Sequence, residues 1–306
     1  MRTKRSAAAV YEEKTLTGAR RRAIPICCEC PSCGKSGDVR IFVRRIDSDW
    51  ALCGCGLVYL QTVYPEPEQS AVHAAGSRKD TAGQNPYERR RRRRIAKSRH
   101  QILDVLNHTN PGSLLDIGCS LGYTLEAAEG LGLAAAGVEI DTAAVERCRR
   151  MGFSVERANM SSLPFDDERF QIVTMKHVLE HTPDPRAALR EVRRVLKPGG
   201  GLFIAVPHLQ YHKALRSPET YHYFRVSRDI GGDGHYVYYT PDSLGKMLKD
   251  MGFAVVKVDP HLIHRGASIA IRLVQTAVSP ARRFMQYALT TLHLRKEFWL
   301  TAIRDF

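Results

Sequence analysis

The chain has 306 residues, of which 43% are hydrophobic and 25% are charged, and its formal net charge is +14. A hydrophobic fraction of this size can build a buried core, and the absence of any apolar run of about 18 residues argues against a membrane-spanning helix. The basic N-terminus lacks the apolar stretch of a secretory signal, so we expect a cytoplasmic protein.

The positive charge is concentrated in an uninterrupted run of arginines, Arg89–Arg94. Such a run attracts anions, including nucleic acid, acidic lipid and phosphorylated substrates. A solvated helix face explains the run equally well, so both interpretations stay open.

In chain order, the composition predicts four regions. Residues 1–25 are charged and have no periodicity, which predicts a disordered basic tail. Residues 26–64 are rich in cysteine and contain the β-type stretch Val39–Val43, which predicts a small β module. Residues 65–87 are polar and contain prolines, as linkers do, and residues 88–306 form an α/β domain with a helical insertion at about 266–293.

Six of the eight cysteines lie between residues 27 and 55, and this clustering favours a metal site over disulfides. Cys30-Pro-Ser-Cys33-Gly has the spacing of a zinc knuckle, and Cys53 and Cys55 supply two further thiols. Their spacing is C-x-C where a zinc ribbon usually has C-x-x-C, so Cys27 or Cys28 is an alternative ligand. We predict a structural zinc on Cys30, Cys33, Cys53 and Cys55, with reduced, metal-free cysteines as the alternative.

From residue 88 onward, helix and strand patterns alternate. A helix is predicted over 88–107, and further helices over 142–151 and 185–196. Between them, strands are predicted at 113–117, 134–139, 154–156, 170–175 and 201–206. This alternation predicts a parallel, doubly wound sheet.

Three strand ends carry residues suited to a ligand, which in such sheets binds beyond the carboxyl ends of the strands. Asp116 closes the first strand and leads into a loop with Gly118 and Gly122, where the backbone can approach a ligand and a helix start offers N–H donors. The second strand ends in Glu139, placed to bind two ribose hydroxyls. After the third strand, Asn159 and Met160 offer an amide and an apolar side chain to an adenine ring.

The spacing Gly118-x-x-x-Gly122 departs from the G-x-G-x-x-G of dinucleotide dehydrogenases and disfavours hydride chemistry. The segment 113–207 instead resembles class I S-adenosylmethionine-dependent methyltransferases, through LLDIGCSLG (114–122), GVEID (137–141), LPFDD (163–167), HVLEH (177–181) and RVLKPGG (194–200). Ser120 stands where that family usually has glycine.

The resemblance implies S-adenosylmethionine as cofactor, with Gly118 and Gly122 flanking its methionine moiety, Glu139 at the ribose, and Asn159 and Met160 at the adenine. It also implies a sixth strand at 254–258 and a closing antiparallel strand at 297–304. The predicted fold is therefore a Rossmann-like doubly wound sheet of seven strands with an N-terminal zinc-ribbon-like β module.

Methyl transfer to a hydroxyl needs a group that removes a proton, and three histidines are candidates. His177 and His181 follow the fourth strand, and His235 arrives from the segment after the fifth. In the family, Glu180-His181 often anchors this loop structurally, so a structural role is the alternative. Relatives that use a divalent ion carry Glu-x-x-Glu-His, whereas this chain has His177 in the first position, and a zinc-peptidase motif is disfavoured because a strand ends here.

We predict S-adenosylmethionine-dependent methyl transfer to a sugar, glycan or related small molecule, at oxygen. RNA methylation and a non-catalytic binding role are the alternatives. Apolar stripes beside arginines in 266–293 are also compatible with contact to an anionic membrane surface, or with packing on the sheet or a second subunit.

Overall fold

The computed structural model describes residues 12–14, 20–22, 24–44, 48–63, 91–207, 234–261 and 297–305. The predicted linker 65–87 and the predicted insertion 266–293, with its proposed membrane contact, lie outside these residues. Among the helices that the structure describes, none has the length and apolar character needed to span a membrane.

The elements follow one another in this order. The N-terminal strands are β1 (Glu12–Lys14), β2 (Arg20–Arg22), β3 (Ile24–Pro25), β4 (Val39–Arg44), β5 (Ser48–Cys53) and β6 (Val58–Val63). They are followed by α1 (Arg91–Leu106), β7 (Leu114–Ile117), α2 (Tyr123–Glu129), β8 (Ala135–Glu139), α3 (Thr142–Arg150), β9 (Ser154–Arg157), β10 (Phe170–Lys176), α4 (Pro185–Val195), β11 (Leu196–Pro207), β12 (Val237–Tyr238), α5 (Pro241–Asp250), β13 (Phe253–His261) and β14 (Glu297–Arg304).

A seven-stranded sheet with the order β13-β14-β11-β10-β7-β8-β9 forms the centre of the α/β domain. The five neighbouring strands β11, β10, β7, β8 and β9 are parallel, and β14 lies antiparallel between β11 and β13. This arrangement confirms the predicted Rossmann-like sheet and its closing antiparallel strand. The strand order reverses between β7 and β10, which is where such sheets bind ligands.

Both faces of the sheet are covered, which is why its strands are almost continuously apolar. On one face, α1 and α2 pack over a cluster that includes Ile102, Ile172 and Phe203. The other face packs against α4 and α5 through a larger cluster that includes Leu189 and Met247. The edge at the carboxyl ends of the strands is left for the loops that carry the candidate site.

The second sheet belongs to the cysteine-rich module and has the order β12-β6-β5-β4, with β3 also paired to β6. Its strand β12 comes from the α/β domain. It pairs with β6, with Val237 opposite Tyr59 and Tyr238 opposite Val58. The sequence predicts β4 but not β5, β6 or β12. The cysteine module and the domain are therefore joined by a shared sheet.

Within the predicted basic tail of residues 1–25, the structure describes the strands β1, β2 and β3, and the other residues lie outside the described part of the chain. β1 pairs antiparallel with β2, in a register that places Glu12 opposite Arg22 and Glu13 opposite Arg21. β3 joins the module's sheet, so the module begins before residue 26.

Candidate functional site

The loop between β7 and α2 turns through three residues with positive φ. Gly118 has φ 72°, Ser120 has φ 48° and Gly122 has φ 79°. Ser120 therefore takes a left-handed conformation that favours glycine, at the position where the sequence departs from the family pattern. The loop is fixed to the neighbouring strand, because the Gly118 N–H donates to the Val138 carbonyl at 2.7 Å.

Glu139, at the end of β8, lies directly against this loop. Its carboxylate accepts hydrogen bonds from the backbone N–H of Ser120 (2.9 Å), Ile140 (2.8 Å) and Asp141 (3.1 Å). The side chain thereby joins the glycine loop to the start of α3, whose N-cap is Asp141. This position at a strand end beside the glycine loop is the one predicted for a ribose ligand.

The remaining predicted cofactor residues are distributed along the same edge. Asp116 is 2% exposed, and its carboxylate accepts a hydrogen bond from the Thr174 hydroxyl. Asn159 is exposed and its side-chain oxygen accepts from the Ser161 N–H at 2.9 Å, while Met160 packs against the main core. The structure thus brings Gly118, Gly122 and Glu139 together and sets Asn159 and Met160 beyond the end of β9.

The loop after β10 carries His177 in a left-handed conformation, with φ 56°. Its ring lies between two carboxylates: Nε2 is 2.8 Å from Glu297, and Nδ1 is 3.4 Å from Glu180. Burial alone would lower its pKa, but the hydrogen bonds and charges of Glu180 and Glu297 raise the pKa of His177 to about 10. The two carboxylates therefore favour the protonated form of His177, and its role as a catalytic base stays a prediction.

Glu180 is fully buried next to His177. Burial acts to raise its pKa, but the hydrogen bond from His177 and the charges of His177, His181 and His235 lower it below the usual range. The Glu180 backbone carbonyl also accepts from the Tyr236 N–H at 2.8 Å. The segment that carries His235 is therefore tied to the loop after β10.

His181 and His235 meet at this point. Their rings are 4.8 Å apart at the centroids and cross at 75°. His181 Nδ1 is 3.1 Å from the Gly234 carbonyl, and because a carbonyl only accepts, the neutral form of the ring carries its proton on Nδ1 and its lone pair on Nε2. One ligand atom from each of Glu180, His181 and His235 lies within 4.8 Å of the others.

Two charged residues of the site escape the sequence analysis. Glu297 begins β14 and reaches His177 from the closing strand, and Lys176 ends β10 on the face covered by α1 and α2. A signal for Glu297 is present, since it is a carboxylate at the start of an otherwise apolar strand. Lys176 gives no such signal, because its partners come from two distant helices.

The four predicted metal ligands form one cluster. One Sγ from each of Cys30, Cys33, Cys53 and Cys55 lies within 4.8 Å of the others, with 3.6 Å between Cys30 and Cys55 and 3.5 Å between Cys33 and Cys53. The Cys30 thiol donates to Cys55, which lowers the pKa of Cys55 to about 5. The C-x-C spacing therefore does not prevent all four sulfurs from meeting.

The alternative ligands Cys27 and Cys28 lie elsewhere. The Cys27 Sγ is 3.6 Å from the carbonyl of Pro183, and Cys28 is exposed. Arg186 makes a second bridge, since its guanidinium donates to the Ser32 carbonyl. The cysteine module is thus held against the loop that carries His181.

The chain is similar to several known methyltransferases. A family model described as a methyltransferase domain matches residues 87–258. A ubiquinone biosynthesis O-methyltransferase of Pseudomonas paraeruginosa is 27% identical over 157 residues, which are 47% of this chain and 65% of that protein. A ubiquinone/menaquinone biosynthesis C-methyltransferase of Shewanella oneidensis is 31% identical over 116 residues, 34% of this chain and 46% of that protein.

These alignments cover less than two thirds of the length of each relative. Among solved structures, an S-adenosylmethionine-dependent methyltransferase from Archaeoglobus fulgidus superimposes with a TM-score of 0.49 at 20% identity, covering 70% of this chain and 94% of that one.

Proposed function

This chain belongs to the methyltransferase-domain family, and on that premise we propose that it binds S-adenosylmethionine and transfers its methyl group to an oxygen atom of a small-molecule acceptor. The observation that carries the cofactor assignment is the contact between Glu139 and the loop Gly118–Gly122. A carboxylate at the end of β8 is suited to two ribose hydroxyls, and the open backbone of the loop to the amino-acid part.

The acceptor assignment rests on chemistry at the end of β10. Transfer to a hydroxyl needs a base beside the methyl group, and His181 is the residue whose free Nε2 can supply it. His177 is held as a cation by Glu180 and Glu297, so it orients the loop and does not accept the proton. His235 packs against His181 and supports its ring.

The base assignment predicts a clear difference between two variants. His181→Gln keeps a polar group of similar length but removes the basic ring nitrogen, and we expect the rate of transfer to fall about 100-fold, within the usual range for general-base catalysis. The affinity for S-adenosylmethionine is expected to stay within about twofold of the parent chain. Rapid-quench transfer from labelled cofactor, with calorimetry for affinity, measures both; full activity in His181→Gln would refute the assignment.

For the acceptor itself, we propose a sugar, a glycan or a related metabolite. The relatives' names point to intermediates of ubiquinone biosynthesis as a second class of acceptor. Incubating the full chain with a cell extract and methyl-labelled cofactor, followed by untargeted mass spectrometry, separates these classes. A labelled sugar supports the first and a labelled quinone precursor the second, while His181→Gln serves as the control for background labelling.

RNA is a third candidate acceptor, favoured by the exposed arginines Arg92, Arg93 and Arg94 on α1. Binding to phosphates weakens steeply with salt. A fluorescent single-stranded RNA should then bind at low salt and bind less when Arg92 and Arg93 are both replaced by glutamine. Absence of binding at low salt eliminates this candidate.

We propose further that Cys30, Cys33, Cys53 and Cys55 hold a structural zinc ion. Tetrahedral zinc with bonds of about 2.3 Å sets its sulfurs roughly 3.8 Å apart, and the observed sulfur distances of 3.5 and 3.6 Å are close to that spacing. Elemental analysis should find one zinc per chain, lost in the double variant Cys30→Ser, Cys33→Ser and kept in Cys28→Ser. A folded parent chain without metal would contradict the proposal.

A further inference from the structure

Lys176 is a charged residue at the sheet edge that the proposed mechanism leaves unused. It ends β10, and its ammonium donates hydrogen bonds to two hydroxyls, those of Ser98 on α1 (3.0 Å) and Thr124 on α2. An ammonium has three N–H donors, and among the described residues the structure gives acceptors for two of them. In the part of the chain that the structure describes, no carboxylate forms an ion pair with it.

The surroundings of Lys176 are short of negative charge. Burial lowers the pKa of Lys176, the charge of Asp116 opposes that shift, and the charges of Lys97 and Arg94 add to it. Asp116 accepts the hydroxyl of Thr174 and acts on Lys176 only through space. A partly buried cation that contacts only hydroxyls is costly unless an anion completes its shell.

The order of the strands indicates which anion would contact the Lys176 ammonium. Glu139 and Asn159 follow β8 and β9, the glycine loop follows β7, and β10 comes next across the sheet. A cofactor whose adenosine lies at β8 and β9 extends over β7 toward β10 with its amino-acid end. S-adenosylmethionine carries one anionic group, the α-carboxylate at that end. Thr124, which holds Lys176, lies two residues beyond Gly122.

We propose that Lys176 binds the α-carboxylate of S-adenosylmethionine, with Ser98 and Thr124 holding its ammonium in place. This inference rests on the proposed cofactor. Lys176 is not among the cofactor-binding residues that the resemblance to methyltransferases implies. Lys176 thereby discriminates ligands that keep the amino-acid group from those that have lost it. Lys97, the neighbouring lysine on α1, is engaged by Glu297 at 3.0 Å and has no such role.

Two thioethers test this assignment without turnover. S-adenosylhomocysteine carries the amino-acid group, and 5′-methylthioadenosine has the same adenosine without it. In the full chain, we expect Lys176→Met to weaken the binding of S-adenosylhomocysteine at least about tenfold, as measured by calorimetry. Removal of a charged hydrogen bond produces a loss of this size. The affinity for 5′-methylthioadenosine should stay within about twofold, and Lys97→Met should leave both affinities unchanged.

Other outcomes overturn the proposal in distinguishable ways. Equal losses for the two ligands in Lys176→Met, or no loss for either, exclude a contact with the carboxylate. If the parent chain binds neither ligand, the proposed cofactor itself is wrong. Should Lys176→Met unfold, Lys176→Gln keeps a donor to the two hydroxyls without the charge, and the same ratio of affinities decides the question.

Discussion

At the scale of single residues, the site depends on backbone conformations that few side chains adopt. Ser120 and His177 both have positive φ, and each stands in a loop that follows a parallel strand. Such conformations cost on the order of 1–2 kcal/mol and persist where the surroundings fix them. For Ser120 the surroundings include the hydrogen bond from its N–H to Glu139, and for His177 the two carboxylates.

Gly118 gives a prediction at this scale. A Cβ at Gly118 would lie 2.3 Å from Val178 Cγ2, in addition to the strain of φ +72°. Gly132 has a similar φ of +75° but nothing within 4 Å of its Cβ position, so it is a matched control. We expect Gly118→Ala to lower the free energy of unfolding by about 2–4 kcal/mol and Gly132→Ala by about 1 kcal/mol.

Urea denaturation measures both values, and calorimetry shows whether the Gly118 variant also loses cofactor affinity. Equal destabilisation in the two variants would mean that Val178 moves aside and that the glycine loop tolerates a side chain.

At the scale of elements, β12 connects the loop after β10, which carries His177 and His181, to the cysteine module. The Leu60 N–H donates to the Tyr236 carbonyl at 2.8 Å, and the Tyr236 N–H donates to Glu180. Val237, the first residue of β12, is 1% exposed. The position of His235 beside His181 is therefore set by a strand that pairs with another part of the chain.

Breaking this strand should impair transfer more than binding. Val237→Asp buries a charge within β12, and we expect transfer to fall about 100-fold, since small displacements of positioned groups cost that much. Val256→Asp is the matched control, because Val256 is 42% exposed on β13. A steady-state assay with calorimetry for the cofactor checks this; comparable activity in the two variants would show that β12 does not position the histidines.

The elements that the sequence predicts are those whose pattern is local. Helices follow β7, β8 and β10, and the predicted bounds of β7, β8, β9 and β10 lie close to the observed ones. No local pattern predicts β5 and β6, because buried polar residues such as Asp49 interrupt both alternation and any apolar run. Lys176 and Glu297 are not predicted from the sequence, because their partners are distant in the chain.

At the scale of the whole molecule, three parts of the chain meet at one edge of the sheet. The glycine loop and Glu139 come from the parallel strands, Glu297 from the closing strand, and β6 from the cysteine module. This convergence predicts that loss of the proposed zinc from the cysteine module alters the loop after β10 that carries His181. The double variant Cys30→Ser, Cys33→Ser should lose transfer activity while its affinity for S-adenosylmethionine stays within about threefold.

The comparison of activity with affinity makes that prediction specific, because global unfolding would abolish both. Cys28→Ser changes an exposed thiol and serves as the control. Full transfer activity in the metal-free double variant would show that the module acts independently of the site.

We propose that the carboxyl edge of the sheet binds S-adenosylmethionine through Glu139. Calorimetric titration of the full chain with that cofactor tests it most directly, in the parent, in Glu139→Ala and in Glu156→Ala. Glu156 is a comparable carboxylate on β9, paired with Arg149 at the surface. We predict one cofactor per chain, an affinity at least about tenfold weaker in Glu139→Ala, and no change in Glu156→Ala. No binding by the parent, or equal affinities in all three chains, would contradict the account.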